Sequence, residues 1–220
     1  MKKIRVSPRL SSSLALFAVL LLGIVSFGPT LRLGFLWDDH EMIVRNPIIR
    51  DFTPRTIKHV FTNDVFDGKG NAYYRPLQTL MNMVDFQIWG MNPLGYHLTN
   101  LLFHLLACAL LFFLFGRIFK NERLAFWSAS FFAVHPIVVE QLIIIAGRAE
   151  LMSMALMLGS IFLGLRRDRV GRGLSLAVYF LACLAKESGI MAPFFLLMIG
   201  YFFREKRLPF SAYLGYGVVL

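Results

Sequence analysis

Trp37-Asp38-Asp39-His40-Glu41 crowds three carboxylates and an imidazole into five consecutive positions, directly after a long apolar run. Crowded like charges beside lipid favour protonation of one of them, which suits a group that must take up a proton. The same oxygens could ligate a divalent cation, and a solvated loop start or helix cap is the plain alternative. Arg75, in Tyr73-Tyr74-Arg75-Pro76, joins a guanidinium to aromatic rings. That pairing suits a phosphate oxygen or a carboxylate, and equally a side chain snorkelling to the membrane edge. His97, Asn100 and His104 recur at spacings of three and four, so one helix face carries all three. Polar groups inside a span face a cavity or bond a neighbouring helix. His135-Pro136 with Glu140, Arg148 with Glu150, and Lys186-Glu187 complete the set, and the opposite charges among them could pair with one another. No phosphate-binding glycine loop, nucleophile elbow or zinc-helix motif occurs.

Elements that hold these groups follow from the apolar pattern. The 220 residues are 57% hydrophobic and 16% charged, too little charge to cover a soluble domain. Apolar runs near 14–36, 97–116, 124–136, 150–165, 174–187, 190–203 and 208–220 predict an all-α, polytopic helix bundle. The short runs near 124 and 174 fit re-entrant segments as well. The first run is too long for a signal-peptide core and lacks a small-residue cleavage site, so it reads as a retained helix. The last run reaches Leu220 without a polar stop, which reads as a truncated chain.

The net charge of +10 does not indicate nucleic-acid binding, because the basic residues lie in short clusters between apolar runs. Lys2, Lys3, Arg5 and Arg9 precede the first run. Arg117, Lys120 and Arg123, then Arg166, Arg167, Arg169 and Arg172, then Arg204, Lys206 and Arg207 follow at alternate spans. The positive-inside rule places these clusters and the N-terminus in the cytoplasm, and for a bacterial chain the membrane would be the inner or cell membrane. All the acidic and histidine motifs then fall on the opposite side. Residues 37–96 form a long outer loop there, with two amphipathic helices expected along the membrane surface. The first starts at Thr53-Pro54. The second starts at Arg75-Pro76, carries Leu77, Leu80, Met81, Val84 and Ile88 on one face, and ends at Gly90. Gly68 and Gly70 mark the loop between them. Cys108 and Cys183 lie inside apolar runs and read as small buried residues.

Six motifs in order carry a resemblance. They are Trp37-Asp38-Asp39-His40, Tyr74-Arg75-Pro76-Leu77, the stretch from Asn92-Pro93 through His97 to Asn100, Phe132 to Pro136 with Glu140, Gly147-Arg148-Ala149-Glu150-Leu151, and Leu184-Ala185-Lys186-Glu187-Ser188-Gly189. Together they resemble the transmembrane and tetratricopeptide-repeat O-mannosyltransferases, the TMTC family, and bacterial relatives in the GT-C superfamily of membrane glycosyltransferases. The resemblance implies a polyprenyl-phosphate-sugar donor and a protein or glycan acceptor at the outer or lumenal face. It implies Asp38 as the base, where relatives carry an Asp-Glu pair, with Asp39 beside it. His40, Arg75, His97, His135, Glu140, Arg148, Glu150, Lys186 and Glu187 are its candidate donor-phosphate or substrate contacts. A cofactor is left open, since metal use differs among such enzymes. A non-catalytic membrane protein that binds lipid or protein is the alternative. A transporter is a further one, although it calls for ionisable groups nearer the bilayer midplane.

Overall fold

A computed structural model of the chain describes residues 12–65, 73–166, 168–206 and 208–218, and these contain helices and no strand. The N-terminal cluster Lys2 to Arg9, Gly68 and Gly70, Arg167, Arg207 and Leu220 lie outside the described residues. The all-α membrane bundle expected from the apolar pattern is the architecture observed.

Among the described residues, three helices are long and apolar enough to cross a membrane. α1 (Ser12–Phe27) continues through a 3-10 turn to Arg32, α4 (Pro93–Phe119) has 27 residues, and α7 (Arg148–Gly164) continues from a turn begun at Ile145. α5 (Glu122–Ala133) covers the expected run at 124–136 only as far as Ala133. It bends by 44° into Pro136–Ile143, whose last part is α6 (Val139–Ile143). Pro136 supplies no N–H and leaves His135 extended, which breaks the helix there. The later apolar runs correspond to α8 (Arg169–Ala185), α9 (Ala192–Phe202) and α10 (Phe210–Val218), of 17, 11 and 9 residues.

Small residues let the helices approach, as they must where lipid removes the hydrophobic incentive to pack. Ala125, Ala129 and Ala133 repeat every fourth residue of α5 and meet Ala15 and Val19 of α1 and Cys108 of α4. A Cβ on Gly23 would lie 2.9 Å from the Leu105 side chain. α7 and α8 are joined by paired hydroxyl bonds, Ser160 Oγ to the Ser175 carbonyl at 2.9 Å and Ser175 Oγ to the Ser160 carbonyl at 2.6 Å.

Contacts fix which connections share an end of the bundle. Ser12 donates to Glu122 at 2.7 Å, Arg117 donates to the Leu165 carbonyl at 2.9 Å, and the Lys120 ammonium lies 3.6 Å from Glu205. The basic segments after α4, α7 and α9 therefore lie together. The start of α7, the end of α8 and the segment after α1 lie at the other end, under a cap whose core contains Met42, Ile43, Ile49, Val60, Met83 and Ile145.

The cap contains α2 (Pro54–Thr62) and α3 (Pro76–Trp89). Thr53 and Thr56 form a capping box at the start of α2, with Pro54 in the first turn, as the sequence predicts. α3 has the expected bounds, ending before Gly90 in the left-handed region at φ +57°. Its facing shows which side the protein buries. The buried face includes Gln78, Thr79, Asn82 and Asp85, while Ile88 is exposed. A polar face turned inward and an apolar edge turned outward suit a helix bordered by lipid.

Candidate active site

The turn after α1 separates the two adjacent aspartates. Trp37 takes a left-handed backbone at φ +46°, a strained conformation for a bulky residue. The Asp38 carbonyl then accepts from the Glu41 and Met42 N–H groups at 3.1 and 2.9 Å, starting a π turn over His40–Val44. The two side chains consequently leave the turn in different directions. Asp39 is fully buried, and its carboxylate accepts from the backbone N–H groups of Leu36 at 2.9 Å, Ile145 at 3.2 Å and Ala146 at 2.7 Å. It ties the first outer segment to the turn before α7. Burial raises its pKa above the ordinary carboxylate value, against the opposing pull of the Leu36, Ala146 and Ile145 N–H groups.

Asp38 is exposed and faces a cavity of about 210 Å³. Arg75, Glu140, Gln141, Gly147, Glu150 and Lys186 line the same cavity, so motifs spread over some 150 residues converge on it. Among the described residues, nothing bonds the Asp38 carboxylate.

Each cation of the cavity already has a partner. Arg75 precedes Pro76, which holds it out of the helical region at the entry to α3. Its guanidinium donates to both Glu187 oxygens, at 2.8 and 3.3 Å, and lies 4.7 Å from the Tyr73 ring centroid. Lys186, extended at the end of α8, pairs with Glu150, and Ser188 bonds the other Glu150 oxygen at 3.5 Å. Two glycines make this packing possible. A Cβ on Gly147 would lie 2.5 Å from Gln141 Cα, and one on Gly189 would lie 2.5 Å from the Ala182 carbonyl carbon.

The remaining sequence candidates sit elsewhere. Arg148 lies beneath the cavity floor, fully buried. It donates to Asn100 at 2.9 Å, to Asn82 at 2.7 Å and to the Tyr96 carbonyl at 3.1 Å, and its guanidinium is 2.5 Å from Asp85. These partners occupy the guanidinium, so it holds α3 to α4 and α7 and does not face the cavity. His97 is buried between the carbonyls of Leu142 at 3.2 Å and Gly34 at 3.4 Å. His104 bonds the Ala133 carbonyl at 3.1 Å. His135 caps the short turn after α5 by accepting from the Ile137 N–H at 3.1 Å. His40 is exposed and does not line the cavity. Glu187 reaches the site through Arg75.

Among the described residues, no three His, Cys, Asp or Glu side chains are grouped to hold a metal ion. The divergence of Asp38 from Asp39 is the geometric reason that their pentapeptide does not form such a group. Asn82 and Asp85, which meet Arg148, and Gln78, which donates to the Ala146 carbonyl at 2.8 Å, belong to no motif of the sequence. Their spacing of four and three opposite an apolar stripe is the available signal.

Fold and site together define a helical membrane protein with an acid- and cation-lined cavity at one end of its bundle. The chain is similar to TMTC-type protein O-mannosyl-transferases. It is 30% identical to one from Caenorhabditis elegans over 80% of this chain and 26% of that protein. It is 39% identical to mouse TMTC1 over 60% of this chain and 14% of that protein. It is 30% identical to human TMTC3 over 78% of this chain and 20% of that protein. The chain thus spans about a quarter or less of these relatives' length. No family model matches it, and no solved structure does.

Proposed function

We propose that this chain carries the catalytic end of a membrane glycosyltransferase. The enzyme moves a sugar, mannose by analogy with the relatives' names, from a polyprenyl-phosphate donor to a protein hydroxyl. The observation that carries the reading is the contrast between the aspartates. Asp38 is open to a cavity that also holds Arg75 and Lys186, while Asp39 is committed to backbone.

In this reading the acceptor hydroxyl gives its proton to Asp38, and its oxygen forms the new bond to the anomeric carbon. The bond from that carbon to the donor phosphate breaks, and the phosphate leaves with the electron pair. Arg75 and Lys186 exchange their carboxylate partners for the phosphate and stabilise the developing charge. The cavity lies on the non-cytoplasmic face, with the N-terminus in the cytoplasm. Supporting this, the described basic segments after α4, α7 and α9 share the opposite end of the bundle.

The test uses the full-length protein in vesicles with radiolabelled polyprenyl-phosphate mannose and acceptor protein. Label is expected to pass to protein on the cavity side. Label that stays in the lipid fraction, while donor binding persists, would favour a lipid-binding protein without turnover.

A further inference from the structure

At the end of the bundle away from the cavity, α4, α7 and α9 leave a groove of about 400 Å³ between them. Its walls include Leu114, Ile118, Met157, Leu158, Ile161 and Met198, with almost no polar surface. A Phe119–Phe203 edge-to-face pair, with centroids 5.3 Å apart, brings the ends of α4 and α9 together beside it. Charged residues follow the pair on both segments. Lys120 ends α4 in a left-handed conformation at φ +52°, and Arg204, Glu205 and Lys206 follow α9. The Lys120–Glu205 contact at 3.6 Å holds the two charged segments at one place. The segments after α4 and α9 therefore offer Lys120, Arg204 and Lys206 beside Glu205.

A dry groove of this size fits an alkyl chain, and a cationic rim fits an anionic headgroup above it. A soluble ligand would find nothing in the groove to bond, and a zwitterionic lipid would gain little from the rim. We propose that this groove binds one anionic phospholipid, with an acyl chain between α4, α7 and α9 and its phosphate at Lys120, Arg204 and Lys206. The site is distinct from the cavity at the other end, and it does not depend on the sugar-transfer reading.

The test is native mass spectrometry of the full-length protein in detergent, with equal amounts of phosphatidylglycerol and phosphatidylcholine of matched chains. One phosphatidylglycerol adduct should survive delipidation in preference to phosphatidylcholine. Lys120→Glu with Arg204→Glu alters exposed positions only, and should lower that preference by about tenfold or more. Met157→Trp fills the groove and should remove the adduct, while thermal unfolding checks its fold. Equal retention of both lipids, or an unchanged preference in the charge-reversed variant, would overturn the proposal. A photo-crosslinker at Met157 that captures only later helices of the same chain would overturn it as well, because the groove would then be an internal joint.

Discussion

Replacing Arg148 with Met removes the centre of a buried polar network while nearly keeping its apolar volume. Asp85 would remain buried with Thr99 as its hydroxyl partner at 2.9 Å. Breaking a buried ion pair by removing one partner costs about 3–5 kcal/mol. Asn100 cannot turn to compensate, because its amide nitrogen already donates to the Gln141 and Ile145 carbonyls at 3.3 and 3.2 Å. Its stranded oxygen adds about 1–3 kcal/mol. The single variant should therefore lose about 4–8 kcal/mol, a fall in thermal midpoint on the order of 10–30 °C. Asp85→Leu should cost about 3–5 kcal/mol, since it strands the guanidinium. The double variant Arg148→Met with Asp85→Leu removes both charges and should lose only about 1–3 kcal/mol, mostly at the asparagines. The assay is thermal unfolding of the purified protein in one detergent, run as a double-mutant cycle. Losses that simply add across the two single variants would refute the reasoning and return Arg148 to the list of candidate ligand contacts. The network matters to the site because Gly147 and Ala149 flank Arg148 and line the cavity.

Other outcomes follow from the same geometry. Arg75→Lys keeps the charge and loses the fork that meets both Glu187 oxygens, so donor-dependent kcat/KM should fall about tenfold to a hundredfold, read in a transfer assay. Gly147→Ala forces a Cβ to within 2.5 Å of Gln141 Cα and should cost about 1–3 kcal/mol in thermal unfolding, through displacement of the cavity wall. Asp39 gives a pH dependence. Its folded pKa is raised by burial, so its neutral form favours the fold, and that contribution is lost as pH rises from the unfolded value of 3.8 through the folded one. Asp39→Asn stays neutral, so its thermal midpoint relative to wild type should rise over that window. An unchanging difference would show that Asp39 is not shifted.

Much of this arrangement was legible in the chain because it depends on local rules. Basic clusters alternate with apolar runs, and the described ones meet at one end of the bundle. Thr53-Pro54 and Arg75-Pro76 mark helix entries, and both helices start there. Asp38, Arg75, Glu140, Glu150 and Lys186 converge on one cavity. What escaped the sequence was direction. Adjacent aspartates look equivalent until the strained backbone at Trp37 sends one outward and one inward. Arg148 resembles a phosphate ligand until Asn82, Asp85 and Asn100 converge on it from other helices. The apolar pattern of α3 marks a face, and the buried side of this helix includes the polar Gln78, Asn82 and Asp85. His135 reads as reactive in isolation, and its ring nitrogen is taken by the next turn.

The most direct measurement is sugar transfer by the full-length protein carrying Asp38→Asn, compared with wild type at matched folded concentration. Asp38 makes no side-chain bond among the described residues, so folding and donor binding should be retained. Turnover should fall by about 10²–10⁴-fold, the loss of a positioned general base. Turnover equal to that of wild type would show that the open carboxylate at the cavity is not the base.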